Sequence, residues 1–173
     1  MNMTSGNDRD GWATFSGAGE TQRRVELKRT FNAPIQRVWD ALTVEMPNWA
    51  GTIIEPHEGG RVAQGNADEC RDDATTQDGT IKVFQPPYIF EFTWNDSMPD
   101  QGLVRYDLTE LDEERTLLTL VQYVPGSQVE WAAPGWHQVV ERLAVYLETG
   151  SVESIKEGRF MELHGIYREQ GII

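Results

Sequence analysis

The chain has 173 residues, 28 acidic and 15 basic side chains, a net charge of -13, and 39% hydrophobic residues that include six Trp, six Phe and five Tyr. That aromatic content supplies enough apolar surface to offset the entropy of ordering one domain, which argues against a disordered chain, and the acidity opposes binding to phosphate backbones, so no nucleic-acid partner is expected. The single Cys, Cys70, excludes an internal disulfide framework and a multi-cysteine zinc site; with no apolar run near the roughly 20 residues of a membrane span, a cytoplasmic protein without a membrane span is expected.

Residues 1–22 are rich in Gly, Ser, Thr, Asn and Asp without a helical or strand period and read as a flexible arm, in which Trp12 and Phe15 are candidates to dock on the domain or on a partner. The domain itself is expected over 23–150. Val25, Leu27, Arg29 and Phe31 alternate with Glu26, Lys28 and Thr30, the period of a half-buried strand. Pro34 then suits a helix start, and Ile35, Val38, Trp39 and Leu42 recur at helical spacing, which predicts a helix over Pro34–Val44 and a short turn through Glu45–Trp49. Two short strand pieces flank Glu58-Gly59-Gly60. Asp68, Glu69, Asp72, Asp73 and Asp78 make an acidic loop that lacks the pattern of an EF-hand.

Residues 79–85 and 88–95 read as strands broken by Pro86-Pro87, with Phe90, Phe92 and Trp94 sharing one face. Val104, Tyr106 and Leu108 alternate on the next strand, Asp112-Glu113-Glu114 turns, and Leu118, Leu120 and Gln122 continue in register after it. An antiparallel meander with one apolar face needs a cover. Trp136, Val139, Val140, Leu143, Tyr146 and Leu147 form an apolar stripe that predicts a long helix over Pro134–Glu148, stopped at Gly150. Beyond it, Val152, Ile155, Phe160, Leu163 and Tyr167 predict one more helix of about 15 residues within 151–173, packed on the domain or on a second subunit; a homodimer is the corresponding expectation.

No catalytic constellation emerges: there is no nucleophile elbow, phosphate-binding Gly loop or dinucleotide fingerprint. His57, His137 and His164 lie far apart, and His137 with Glu141 lacks the further ligands a metal would need, so no metal and no cofactor are expected. Cys70 beside Glu69 makes a poor nucleophile. What remains is the inward face: Phe90, Phe92, Trp94, Tyr106, Leu118, Leu120 and Gln122 from the sheet, with Trp136, Val140 and Leu143 from the helix. These residues are either an ordinary close-packed core or the walls of a ligand cavity. In the second case Gln122 and Tyr106 supply its polar groups, and Trp39 and Trp49 are candidates for its entrance.

The order strand, helix, short helix, antiparallel strands and long helix resembles the helix-grip fold of the START-like superfamily, an α+β fold. Phe31-Asn32-Ala33-Pro34 with Val38-Trp39-Asp40-Ala41-Leu42-Thr43, Gly59-Gly60-Arg61, Gly79-Thr80-Ile81, Phe92-Thr93-Trp94, Arg115 to Leu120 and Gly135-Trp136 are similar to the branch related to the heat-shock protein 90 ATPase activator. The resemblance implies a curved antiparallel sheet wrapped around a long C-terminal helix, often enclosing an apolar cavity. Related folds carry lipids, bind hormones, cyclise or aromatise polyketides, or assist a chaperone, so function has to be argued from the site. The chaperone activator uses a separate N-terminal domain that the short arm here does not supply. The leading expectation is binding of a small, mainly apolar ligand, aromatic or lipid-like; the alternatives are a cyclase or lyase acting in the same cavity, or a module that engages a chaperone or regulator.

Overall fold

A computed structural model of the chain describes residues 10–17, 22–64, 77–97 and 102–173. The described strands are β1 (Ala13–Ser16), β2 (Gln22–Phe31), β3 (Ile53–Ile54), β4 (Arg61–Gln64), β5 (Gln77–Gln85), β6 (Ile89–Thr93), β7 (Leu103–Asp112) and β8 (Arg115–Pro125). They form one sheet in the order β1-β2-β8-β7-β6-β5-β4-β3, and each neighbouring pair is antiparallel. The helices are α1 (Ile35–Leu42), α2 (Met46–Trp49), α3 (Val129–Thr149) and α4 (Arg159–Glu169). This is the helix-grip arrangement: an open α+β sheet covered by a long C-terminal helix, with one helix more.

The period-2 alternation of the sequence becomes a buried face. Val25, Leu27 and Phe31 of β2, Phe90 and Phe92 of β6, Val104, Tyr106 and Leu108 of β7, and Leu118 and Leu120 of β8 are all buried against the cover. Register puts Tyr106 opposite both Phe90 and Leu120, so the aromatic rings of neighbouring strands meet. The cis Pro86–Pro87 peptide lies in the turn between β5 and β6. From the opposite side, Ala133, Trp136, Val140, Leu143 and Tyr146 of α3 fill the concave sheet.

Three features depart from the sequence reading. The N-terminal segment, expected to be a flexible arm throughout 1–22, contributes the edge strand β1, which pairs Ala13 with Leu27 and Phe15 with Val25. Its anchor is tertiary and remote in sequence: the Ala13 N–H donates to the Tyr167 hydroxyl at 2.8 Å, and Trp12 lies edge-on to His137 at 4.8 Å. The long helix begins at Val129, five residues before the expected start, with Pro134 inside it. Proline removes one intrahelical bond, and the packing of Ala133, Pro134 and Trp136 on the domain outweighs that loss. The last helix is shorter than expected because Gly150 and Gly158 both adopt left-handed conformations, with φ of 75° and 81°, and isolate residues 151–157 as a connector. Leu163 and Tyr167, part of the apolar surplus that suggested a dimer, are buried within the chain. The expected acidic loop lies largely outside the described residues, as does Cys70; Asp78 pairs with Arg61 at 2.8 Å. No described helix is long and apolar enough to cross a membrane.

Candidate functional site

The sequence-predicted inward face divides in two. Phe90, Phe92, Tyr106, Leu118, Leu120, Val140 and Leu143 are 0–2% exposed and pack as core. Phe90 and Phe92 stack with ring centroids 5.0 Å apart, and Tyr106 contacts both. Burial alone pushes the Tyr106 hydroxyl well above the usual phenol range, so it stays protonated at neutral pH. Trp94, Gln122 and Trp136, by contrast, come to the surface of a groove of about 370 Å³ at the N-terminal end of α3. That is within the usual size of small-molecule sites. Trp39 packs on Phe84 at 5.2 Å and Trp49 donates its indole N–H to the Ala41 carbonyl at 2.7 Å, so both serve helix packing away from this groove.

The inner wall is set by one hydrogen bond. Trp136 Nε1–H donates to Gln122 Oε1 at 2.7 Å, which satisfies the buried carboxamide oxygen that the strand register had pointed inward. Trp136 then meets Trp94 edge-to-face at 5.2 Å and Tyr106 at 6.3 Å, closing the groove off from the aromatic core. The outer wall combines α3 and α4. Trp131 lies nearly parallel to Phe160, 11° between planes at 6.1 Å, and to His164, 23° at 4.9 Å. His164 is tied to Glu130 at 3.0 Å, so two adjacent residues of α3 grip one face of α4.

Between these walls, Val124, Ala132 and Val139 add apolar surface and Gln128 and Gln138 add carboxamides. No ionisable side chain is among the described residues of this lining, although the chain carries 43 acidic and basic side chains, 28 plus 15. The floor includes Gly135. A methyl group there would meet only Phe160 Cε2, at an ordinary 3.8 Å, so neither packing nor its backbone conformation requires glycine.

Trp131, Gln128, Gly135 and Phe160 were not among the site residues read from the sequence. A signal for the α3 set was present, since 128, 131, 132, 135, 138 and 139 recur at spacings of three and four, the period of one helical face. Taking Pro134 as the helix start cut that face in half. Phe160 joins by tertiary packing alone.

His164 backs the lining residue Trp131, while the other two histidines lie outside the lining. His57 is exposed. Tyr167, which already accepts from the Ala13 N–H, bonds His137 Nδ1 at 3.0 Å. Glu141 lies 3.7 Å from His137 Nε2 but is held by Arg159, and among the described residues no cluster of three or more metal-ligating side chains forms.

Comparison with solved structures returns the same architecture. A conserved protein of unknown function from Enterococcus faecalis, EF2215, superposes with a TM-score of 0.72 at 21% identity, over 91% of this chain and 89% of its own. CalU16 from Micromonospora echinospora gives 0.63 at 18% identity, over 91% and 94%. DynU16, described as a putative protein in the dynemicin biosynthetic locus, gives 0.57 at 25% identity over 74% of this chain and 48% of its own. No curated protein matches the chain. The family model described as Activator of Hsp90 ATPase homolog 1-like protein matches residues 32–148, more than half the sequence and all of the sheet from the end of β2 onward, and the chain therefore belongs to that family.

Proposed function

We propose that this protein binds a small, mainly apolar ligand in the groove formed by Trp94, Trp131, Trp136 and Phe160. The observation that carries the reading is the groove's chemistry: an apolar hollow of about 370 Å³ without an ionisable side chain in its described lining, on a strongly acidic protein. Apolar walls supply affinity at roughly 25 cal/mol per Å² of buried surface, and a few carboxamides orient the guest. The groove opens beside the helix that covers the sheet, close to the cavity the family resemblance implied, but on the solvent side of Trp136. DynU16, described as a putative protein in a biosynthetic locus, shares this shape and supports a small-molecule role.

Binding is favoured over a cyclase or lyase acting here. Such chemistry needs a group that gives or takes a proton within hydrogen-bond reach of the substrate, and the described lining offers carboxamides and indoles. His137 is bonded to Tyr167, and His164, behind Trp131, is bonded to Glu130.

The test is titration with Nile red, an uncharged apolar fluorophore. Gly135→Leu places a side chain in the groove without disturbing the core, so it should retain the far-UV spectrum of the parent and lose dye binding by about tenfold or more. Equal dye binding by a folded Gly135→Leu variant would refute the site.

A further inference from the structure

One wall of the groove draws on residues beyond the family-matched region. The family match ends at residue 148, and Phe160 and His164 belong to α4 beyond it. These two residues are four apart and so share a face of α4, and Trp131 lies flat along that face. Glu130, next to Trp131 in α3, holds His164 from the same side at 3.0 Å. An indole that is 46% exposed would ordinarily sample several rotamers, yet here two parallel rings and a neighbouring anchor fix its plane. The outer wall is thus a flat aromatic surface in a preset orientation.

Resting on the groove reading above, we propose that this wall makes the site selective for an uncharged, flat, fused-ring aromatic molecule, with Trp131 as the residue that selects. Two observations and one general cost point to that class. Parallel rings reward a planar guest, because offset stacking adds to area burial and a preset plane costs no ordering on binding. A flexible alkyl chain buries comparable area but loses rotamer freedom and gains no stacking. Gly135 removes side-chain bulk from the floor, which lets a ring approach the α3 backbone.

Charge is selected against for a separate reason. A carboxylate or ammonium placed here would lose hydration and find no counter-charge in the described lining, and an anion would also face the field of a chain with net charge -13. A carbonyl or hydroxyl on the guest fits better: the Gln128 and Gln138 carboxamides both donate and accept.

The experiment is Nile red displacement from the full chain by three probes: 9-anthracenemethanol, which is flat and neutral; anthracene-9-carboxylate, the same ring with a charge; and 1-dodecanol, which is neutral and flexible. The parent protein should favour 9-anthracenemethanol over each of the others by about tenfold. Trp131→Leu keeps an apolar side chain without the ring plane; it should bring the preference over 1-dodecanol to within about twofold, with 9-anthracenemethanol losing more affinity than 1-dodecanol. If 1-dodecanol displaces as well as 9-anthracenemethanol from the parent, or if Trp131→Leu weakens both alike, the selectivity proposal is wrong although the groove still binds apolar ligands. Nile red binding that ignores Gly135→Leu would instead remove the groove itself.

Discussion

Glycine at position 135 works against the helix that contains it. In a helix interior, glycine costs about 0.5–1 kcal/mol relative to alanine, and the space for a methyl group is open, with Phe160 3.8 Å away. Gly79 offers the contrast: a Cβ there would fall 1.7 Å from the Thr93 carbonyl oxygen, so its glycine is required by the sheet itself. Gly135 has no such requirement and faces the groove. Gly135→Ala should therefore stabilise the protein by up to about 1 kcal/mol in urea denaturation while weakening Nile red binding. A variant that gains stability and binds the dye as tightly as the parent would show that the vacant floor serves no guest. At this scale the sequence was half legible. Gln122 was identified from strand register and does reach a buried partner, whereas Tyr106, picked by the same logic, sits among Phe90, Phe92 and Trp136, because register reveals the face a side chain takes and not the depth at which it ends.

The elements were mostly readable because their patterns are local: alternation in β2, β7 and β8 and the stripe of α3 each declare a face before any tertiary contact exists. β1 did not declare itself. Four residues beside a Gly-rich stretch are too few to display a strand period, and β1 is held by its pairing with β2 and by Tyr167, 154 residues further on. That anchor makes the N-terminal strand sensitive to acid. Tyr167 accepts from the Ala13 N–H and shares a hydrogen bond with His137 Nδ1 at 3.0 Å, which links the strand to the imidazole. Burial lowers the His137 pKa to about 4; Glu141 opposes the shift, while Arg159 and Arg29 add to it. An unfolded histidine has a pKa near 6.5, so between those two values the unfolded chain binds more protons and stability falls as the solution is acidified. The loss from neutral pH to pH 4 should be on the order of 1–3 kcal/mol, with the Ala13 amide losing hydrogen-exchange protection along with it. His137→Gln keeps a polar partner for Tyr167 and removes the titration, so its stability should change less over this range. An unchanged slope in that variant would assign the acid sensitivity to other groups.

At the scale of the whole molecule, two electrostatic regimes coexist. The chain carries a net charge of -13, and like charges repel one another more strongly as the chain compacts, which destabilises the folded state until salt screens them. The groove is of the other kind, lined by indoles, a phenyl ring, aliphatic side chains and carboxamides in its described part. Raising the salt should therefore separate stability from binding. Between 0.05 and 0.3 M NaCl the Debye length shortens from roughly 14 to about 6 Å, which screens most surface repulsion, so the midpoint of thermal unfolding should rise by about 2–4 °C. The Kd of a neutral probe such as 9-anthracenemethanol should change by less than about twofold over the same range, because neither the guest nor the described lining carries a charge to be screened. Calorimetry and dye displacement in the same buffers measure both quantities. A neutral probe whose affinity follows the salt as steeply as stability does would mean that charged groups beyond this lining govern entry to the groove, and the site would then have to be redrawn to include them.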